Sequence, residues 1–173
     1  MNRICLWFQV NILFNKKSLY LKMELNSTKI YLNKLNEDSN PSWGIMNSSQ
    51  MLYHCNKYID VSFGIKKIYV VNRILFRVFF RYFFLQYLKH LEFDITKFKK
   101  NSTTLKIFKS YPLSINFNNE KEILIQNLNK VQNINVKIIH HQLYGNISSN
   151  LFKKLIAFHT SYHFSQFGIL SDL

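Results

Sequence analysis

The sequence predicts an α+β fold, in which helices and short strands alternate within one basic domain. Two patterns indicate this fold: apolar residues recur at helical spacing in several long segments, and β-branched and aromatic residues alternate with polar ones in short segments between them. Of the 173 residues, 47% are hydrophobic, which is enough for a packed core. The formal charge is +14, from 23 Lys plus Arg against 9 Asp plus Glu, so we expect a polyanionic partner.

A polar break divides the chain near its beginning. Residues 33–43 contain Glu37, Asp38 and Pro41, a composition typical of a loop. We therefore predict an N-terminal extension over residues 1–40 and a main domain over residues 41–173. Within the extension, apolar residues alternate in residues 19–25 and again at 30–32, which predicts a hairpin.

Two helices are predicted to open the main domain. Ser48 is the predicted N-cap of the first, which ends near Asp60, and Gly64 permits a turn before the second. The second begins near residue 68 and ends near His90, with an apolar and aromatic surface. A periodic pattern continues through this whole segment, so we expect a single long helix.

Three arginines form one stripe on this second helix. Arg73, Arg77 and Arg81 recur every four residues. They disfavour a membrane span over residues 68–88, since each would cost about 2.5 to 3.5 kcal/mol at the bilayer centre. The helix is then either buried with its arginines reaching the surface, or packed on protein with the stripe on an RNA backbone, or a membrane-surface helix.

Short elements are predicted to follow His90. Residues 95–100 and 103–109 are β-branched, aromatic and rich in lysine, which predicts two adjacent strands, and Pro112 ends the second. Helical spacing returns over residues 120–131, and a strand is predicted around 134–138.

Ser148 is the predicted cap of a final helix. The order helix, strand, strand, helical pair, strand resembles a type II KH domain with an added N-terminal extension and C-terminal helix. The residues resemble the N-terminal half of ribosomal protein three of the small subunit, over residues 82–166. Five segments carry this resemblance: Gln86-Tyr87-Leu88-Lys89, Asp94-Ile95-Thr96-Lys97-Phe98, residues 104–112, Ile134-Asn135-Val136-Lys137-Ile138 and residues 150–156.

The sequence departs from this family in two places. A KH loop has the pattern GxxG, which lets backbone N–H groups approach a single strand of RNA, but residues 116–121 contain no glycine and include Glu120. The family's C-terminal domain is also not seen before Leu173. We therefore expect either that a separate chain supplies this domain or that the ribosome lacks it.

No catalytic motif is present, so we predict no enzymatic activity, no cofactor and no small-molecule substrate. His159 and His163 lie one helical turn apart, a geometry that could hold a metal. No third ligand lies at a matching spacing, so the sequence predicts no metal site. Cys5 and Cys55 lack zinc-binding spacing and are expected to be reduced.

Residue usage predicts the compartment. The chain has one Ala, four Gly and two Pro, whereas Asn, Lys, Ile and Phe are frequent. The favoured residues have codons rich in A and T, which is typical of an organellar genome. The first 14 residues lack the Arg-rich and Ser-rich character of a transit peptide. We therefore expect an organelle-encoded protein of the mitochondrial matrix.

Together these features predict a structural protein of the mitochondrial small ribosomal subunit, which binds small-subunit rRNA. The family resemblance implies small-subunit proteins ten and fourteen as neighbours. The alternative is an accessory subunit of an inner-membrane respiratory complex. The predicted RNA-binding residues are Arg73, Arg77, Arg81, Lys97, Lys99, Lys100, Lys106, Lys109, Lys121, Lys153 and Lys154.

Overall fold

The structure, a computed structural model, describes residues 30–68 and 73–170 and has the predicted mixed α+β class. After a short helical stretch at residues 30–33 come the elements α1 (Ser48–Phe63), α2 (Arg73–Val78), a π-helical segment (Phe79–Phe84), α3 (Leu85–His90), a 3₁₀ helix (Lys106–Lys109), α4 (Phe117–Gln132), β1 (Ile138–His141), β2 (Gly145–Ser148) and α5 (Ser149–Gln166).

Helix α1 confirms the first predicted helix, with slightly different ends. Its N-cap is Asn47 rather than Ser48, because Asn47 and Gln50 form a reciprocal capping box: the Asn47 side chain accepts from the Gln50 amide at 2.8 Å, and the Gln50 side chain accepts from the Asn47 amide at 3.1 Å. Gly64 ends the helix with φ of 79°, a left-handed conformation that glycine adopts readily. The predicted turn at Gly64 is thus confirmed.

Residues 73–90 form a continuous helix, from α2 through the π-helical segment to α3. The predicted start near residue 68 is wrong at Ile68, which is not helical, and residues 69–72 lie outside the described ranges. In the π-helical segment the backbone hydrogen bonds span five residues instead of four, and the Leu85 amide donates to the Phe80 carbonyl. Within the described ranges, no helix has both the length and the apolar character needed to cross a membrane. Glu92 and Phe93, at φ of 57° and 59°, end the helix at the predicted place.

The two strands predicted after His90 are wrong. Residues 95–100 form turns, and the segment 103–109 contains the 3₁₀ helix instead. One reason is local, because the Asp94 carboxylate accepts from the Thr96 amide at 2.9 Å and from its hydroxyl at 2.7 Å, which stabilises a turn. A second reason is that Phe98 and Phe108 each pack against the core without a partner strand within the described ranges. Their alternation with lysines therefore does not indicate strand pairing.

The described residues contain one sheet, the antiparallel hairpin of β1 and β2, with Ile138 paired to Ser148 and His141 to Gly145. The strand predicted around residues 134–138 overlaps β1 only at Ile138, and β2 was not predicted. The described ranges therefore lack the three-stranded sheet that a KH domain would have. Residues 116–121, at the position of the KH loop, form instead the cap and first turn of α4, where the Asn116 side chain accepts from the Asn119 amide.

The core lies around α1, which packs against α4 and α5. Leu32 and Leu35 are also part of this core, at 0% and 2% exposure. The hairpin predicted over residues 19–25 and 30–32 is wrong in its second part, because residues 30–33 are helical. Residues 19–29 lie outside the described ranges. The domain boundary at residue 40 stays a prediction, but Leu32 and Leu35 belong to the same packed body as α1.

Candidate nucleic-acid interface

Arg77 and Arg81 of the arginine stripe face the hairpin. Arg77 Nη2 donates to His140 Nε2 at 3.0 Å, and its Nε donates to the Gln142 carbonyl at 3.4 Å. Arg81 Nη1 donates to the carbonyls of Tyr144 and Asn146, at 3.1 and 3.2 Å. Two of the three predicted arginines thus join the long helix to the hairpin.

The predicted contact of these two arginines with RNA rests on their remaining guanidinium donors, since each guanidinium has five. Arg73 begins α2, and its side chain lies outside the described part of the structure.

A different face of the long helix is exposed and aromatic. Phe79 and Phe83 stack with their ring centroids 6.0 Å apart, and 53% and 66% of these residues are exposed. We call this surface the aromatic face, and its large exposed residues are Leu75, Val78, Phe79, Tyr82, Phe83 and Tyr87. A surface of this kind typically contacts a partner.

The lysines predicted on strands lie on turns and on the 3₁₀ helix. Lys99, Lys106 and Lys109 are exposed to solvent. Lys97 lies 3.7 Å from both Glu92 and Asp94, so its charge is partly balanced within the chain. These lysines share one irregular stretch of chain, residues 97–109, despite the absence of the predicted strands.

Lys100 is also exposed, and its ammonium lies 5.8 Å from the ring centroid of Trp43. A cation placed over an indole ring in this way gains a modest electrostatic attraction. The side chain is therefore held near Trp43 while its ammonium stays accessible to a phosphate.

Three other predicted lysines make contacts within the protein. Lys153 Nζ donates to the carbonyls of Gln132 and Ile134, at 2.9 and 3.2 Å, and thereby caps the end of α4. Lys121 Nζ donates to the Leu35 carbonyl at 3.0 Å. These two side chains have a structural role whether or not they also meet RNA.

Lys154 makes the third of these contacts. Its ammonium lies 5.8 Å from the ring centroid of Phe93, and the residue is half-buried on α5. Phe93 follows the end of α3, so this cation–aromatic contact helps to hold the chain after the long helix against α5.

A further basic surface was not predicted. The ammonium groups of Lys57 and Lys66 lie 5.6 and 5.5 Å from the ring centroid of Tyr53. Tyr111 packs edge-on to the same ring, with centroids 6.2 Å apart, and Lys57 Nζ donates to the Ser110 carbonyl at 3.1 Å and to its hydroxyl at 2.9 Å. We call this group, Tyr53, Lys57, Lys66, Ser110 and Tyr111, the Tyr53 patch.

Two cations share the Tyr53 patch. Burial, followed by repulsion from the Lys66 ammonium, lowers the pKa of Lys57 below its usual value. Asp60, 3.1 Å from Lys66, is the acid paired with the patch. Lys57 is buried, at 8% exposure, whereas 45% of the Lys66 side chain is exposed, so Lys66 is the cation of the patch that a phosphate can reach.

The sequence held no signal for the Tyr53 patch, because residues 110–111 reach α1 only through the tertiary fold.

Comparisons of the chain with family models, with curated proteins and with solved structures found no match. The function of this chain is therefore inferred from the chain's own residues.

Proposed function

We propose that this chain is a structural protein of the mitochondrial small ribosomal subunit, in which it neutralises phosphates of small-subunit rRNA. Two observations support the proposal: the 173 residues carry a charge of +14, and the exposed surface of the folded body includes Lys99, Lys106 and Lys109. Such an excess of one sign repels itself unless a polyanion surrounds it.

In this proposal, one surface of the protein contacts RNA and another contacts neighbouring proteins. Lys99, Lys100, Lys106, Lys109 and Lys66 of the Tyr53 patch contact the RNA backbone, where lysines fix position without reading sequence. The aromatic face packs on neighbouring small-subunit proteins, for which the family resemblance implies proteins ten and fourteen.

The proposal keeps the RNA binding that the resemblance to a type II KH domain implies, but not the KH groove as the place where RNA binds. Residues 116–121 form a capped helix start without glycine, so their amides are not offered to four nucleotides as in a GxxG loop. RNA binding is therefore assigned to lysine side chains rather than to a KH groove.

Sedimentation of the native chain from a mitochondrial detergent extract tests the proposal. We expect co-migration with small-subunit rRNA that ribonuclease or high salt abolishes, because the contacts are electrostatic. Migration with any other particle, unaffected by ribonuclease, would refute the ribosomal assignment.

A second candidate is an accessory subunit of an inner-membrane respiratory complex. The aromatic face favours it, since a helix with exposed Phe79, Tyr82 and Phe83 can also lie against lipid or a membrane protein. The same experiment separates the two, because this candidate predicts ribonuclease-resistant migration with a respiratory complex.

A further inference from the structure

Three histidines meet between α1 and α5. His159 and His163 lie one turn apart on α5, and the fold brings His54 of α1 beside them, 105 positions from His159. One ring nitrogen from each histidine lies within 4.8 Å of the others. His54 is the third histidine of this cluster, and the spacing of residues along the sequence could not reveal it.

Hydrogen bonds fix which nitrogen of His54 is available. Its Nδ1 donates to the Phe108 carbonyl at 3.1 Å, so its Nε2 carries a free lone pair. That lone pair faces His159 Nε2 at 3.2 Å, and His159 must therefore hold its proton on Nε2. His159 Nδ1 is then a buried acceptor without a hydrogen-bond partner. This buried nitrogen therefore has a lone pair that can accept the proton displaced from Nε2.

His163 is oriented in the same way as His54. Its Nδ1 lies 2.6 Å from Gln166 Oε1, which accepts the Nδ1 proton and leaves Nε2 free. Metal-binding histidines commonly donate their second N–H to a carbonyl in this manner, because the bond fixes the tautomer and the ring direction. Both His54 and His163 have such a supporting carbonyl.

We propose that His54, His159 and His163 bind a transition-metal ion of the Zn²⁺ class, which links α1 to α5. Two nitrogens at about 2.0 to 2.1 Å from a tetrahedral ion lie about 3.3 Å apart, close to the 3.2 Å between His54 and His159. The three ligand nitrogens lie within 4.8 Å of one another, so binding requires His163 Nε2 to move closer to the other two while its Nδ1 stays bonded to Gln166. A water molecule takes the fourth position, as in other three-histidine sites.

The ion replaces the proton between His54 and His159. The His159 ring stays neutral because its proton moves from Nε2 to the unpartnered Nδ1. Tyr58 stacks on the His159 ring with centroids 3.7 Å apart and planes 9° apart, which fixes the ring while leaving the in-plane lone pairs open.

The cluster is also in the protonation state that binds metal. Burial lowers the pKa of His54 to about 4 and of His163 to about 3, and lowers that of His159 well below its usual value. All three imidazoles are therefore neutral near pH 7, and protons do not compete with the ion. Imidazole ligands suit Zn²⁺ and its neighbours better than Mg²⁺ or Ca²⁺.

Metal retention by the full chain tests the proposal. The folded protein is stripped with a chelator, loaded with Zn²⁺ or with Co²⁺ as a spectroscopic probe, and desalted at neutral pH. We expect one equivalent of metal per chain, a visible Co²⁺ spectrum of tetrahedral nitrogen ligation, and a higher Tm with Zn²⁺. His54→Gln and His163→Gln, studied separately, should each weaken binding by more than about tenfold.

Two matched controls replace histidines outside the cluster. His90→Gln removes an exposed imidazole and His141→Asn a buried one, and both variants should keep one equivalent. A folded wild-type chain that retains no metal overturns the proposal, whatever the variants do. Retention that survives both His54→Gln and His163→Gln also overturns it, since the metal would then be bound by other groups.

Discussion

At the scale of single residues, His141 shows how burial makes a side chain sensitive to pH. Its Nδ1 accepts from the Leu143 amide at 3.1 Å, and its ring packs near Tyr144 and Tyr58, with centroids 4.7 and 6.3 Å away. Burial, with a smaller contribution from neighbouring His140, lowers the pKa of His141 from 6.5 to about 3. The folded protein therefore excludes a proton that the unfolded chain accepts.

His141→Asn should make the protein lose stability less steeply in acid. As the pH falls from about 6.5 towards 3, the unfolded chain gains a proton at this position before the folded state does, and His141 then contributes a loss of at most about 1.4 kcal/mol per pH unit. The Asn oxygen can still accept from Leu143. Urea unfolding between pH 7 and pH 4 measures the difference, and equal slopes in the two proteins would show that His141 does not exclude the proton.

Lys57→Gln and Lys66→Gln test the Tyr53 patch. Lys57 is buried and donates to Ser110, so Lys57→Gln should lower the stability of the free protein and leave the salt dependence unchanged. Lys66→Gln should weaken binding to small-subunit rRNA and flatten the dependence of log affinity on log salt by about one unit, as expected when a single phosphate contact is lost. Lys130→Gln is the matched control, since Lys130 is an exposed lysine on α4 outside the patch. Filter binding at several salt concentrations gives both quantities. Identical slopes for all three variants and the parent would remove the patch from the interface.

At the scale of elements, the long helix and the hairpin are held together by arginine. Arg77 and Arg81 reach four groups of residues 140–146 across the helix–hairpin contact. The aromatic face remains on the outside of this contact. The spacing of the arginines could be read from the sequence, but their direction could not, because β2 and the turn that supplies the carbonyls carry no strong strand pattern.

The double variant Arg77→Gln plus Arg81→Gln should therefore destabilise the protein in the absence of RNA. We expect a loss of about 1 to 2 kcal/mol, less than for buried charged hydrogen bonds because Arg81 is exposed. Urea unfolding of the free protein measures it. Unchanged stability together with a salt slope flatter by about two units would show instead that both arginines serve RNA.

At the scale of the whole molecule, helices were easier to predict than the rest. The apolar periodicity of α1, α4 and α5 is local, and a helix satisfies its own backbone hydrogen bonds. A strand needs a partner, and residues 95–109 have none within the described ranges. Their alternation arises because Phe98 and Phe108 turn inward while lysines face solvent, a pattern that turns and strands share.

The candidate sites depend even more on the tertiary fold. Lys57 and Ser110 are 53 positions apart, and His54 and His159 are 105 apart. Composition alone predicted a basic surface, but only the packing of the chain around α1 shows which cations are exposed and which hold the protein together. Lys153 is an example of the second kind, since it caps α4.

We infer that rRNA neutralises the surplus positive charge of this folded body. The most direct test is the affinity of the purified, folded chain for small-subunit rRNA as ionic strength is raised. We predict tight binding at low salt, with log affinity falling linearly with log salt by about 0.7 to 0.9 units for each phosphate contacted. A folded, monomeric chain that ignores RNA at low ionic strength would contradict the claim.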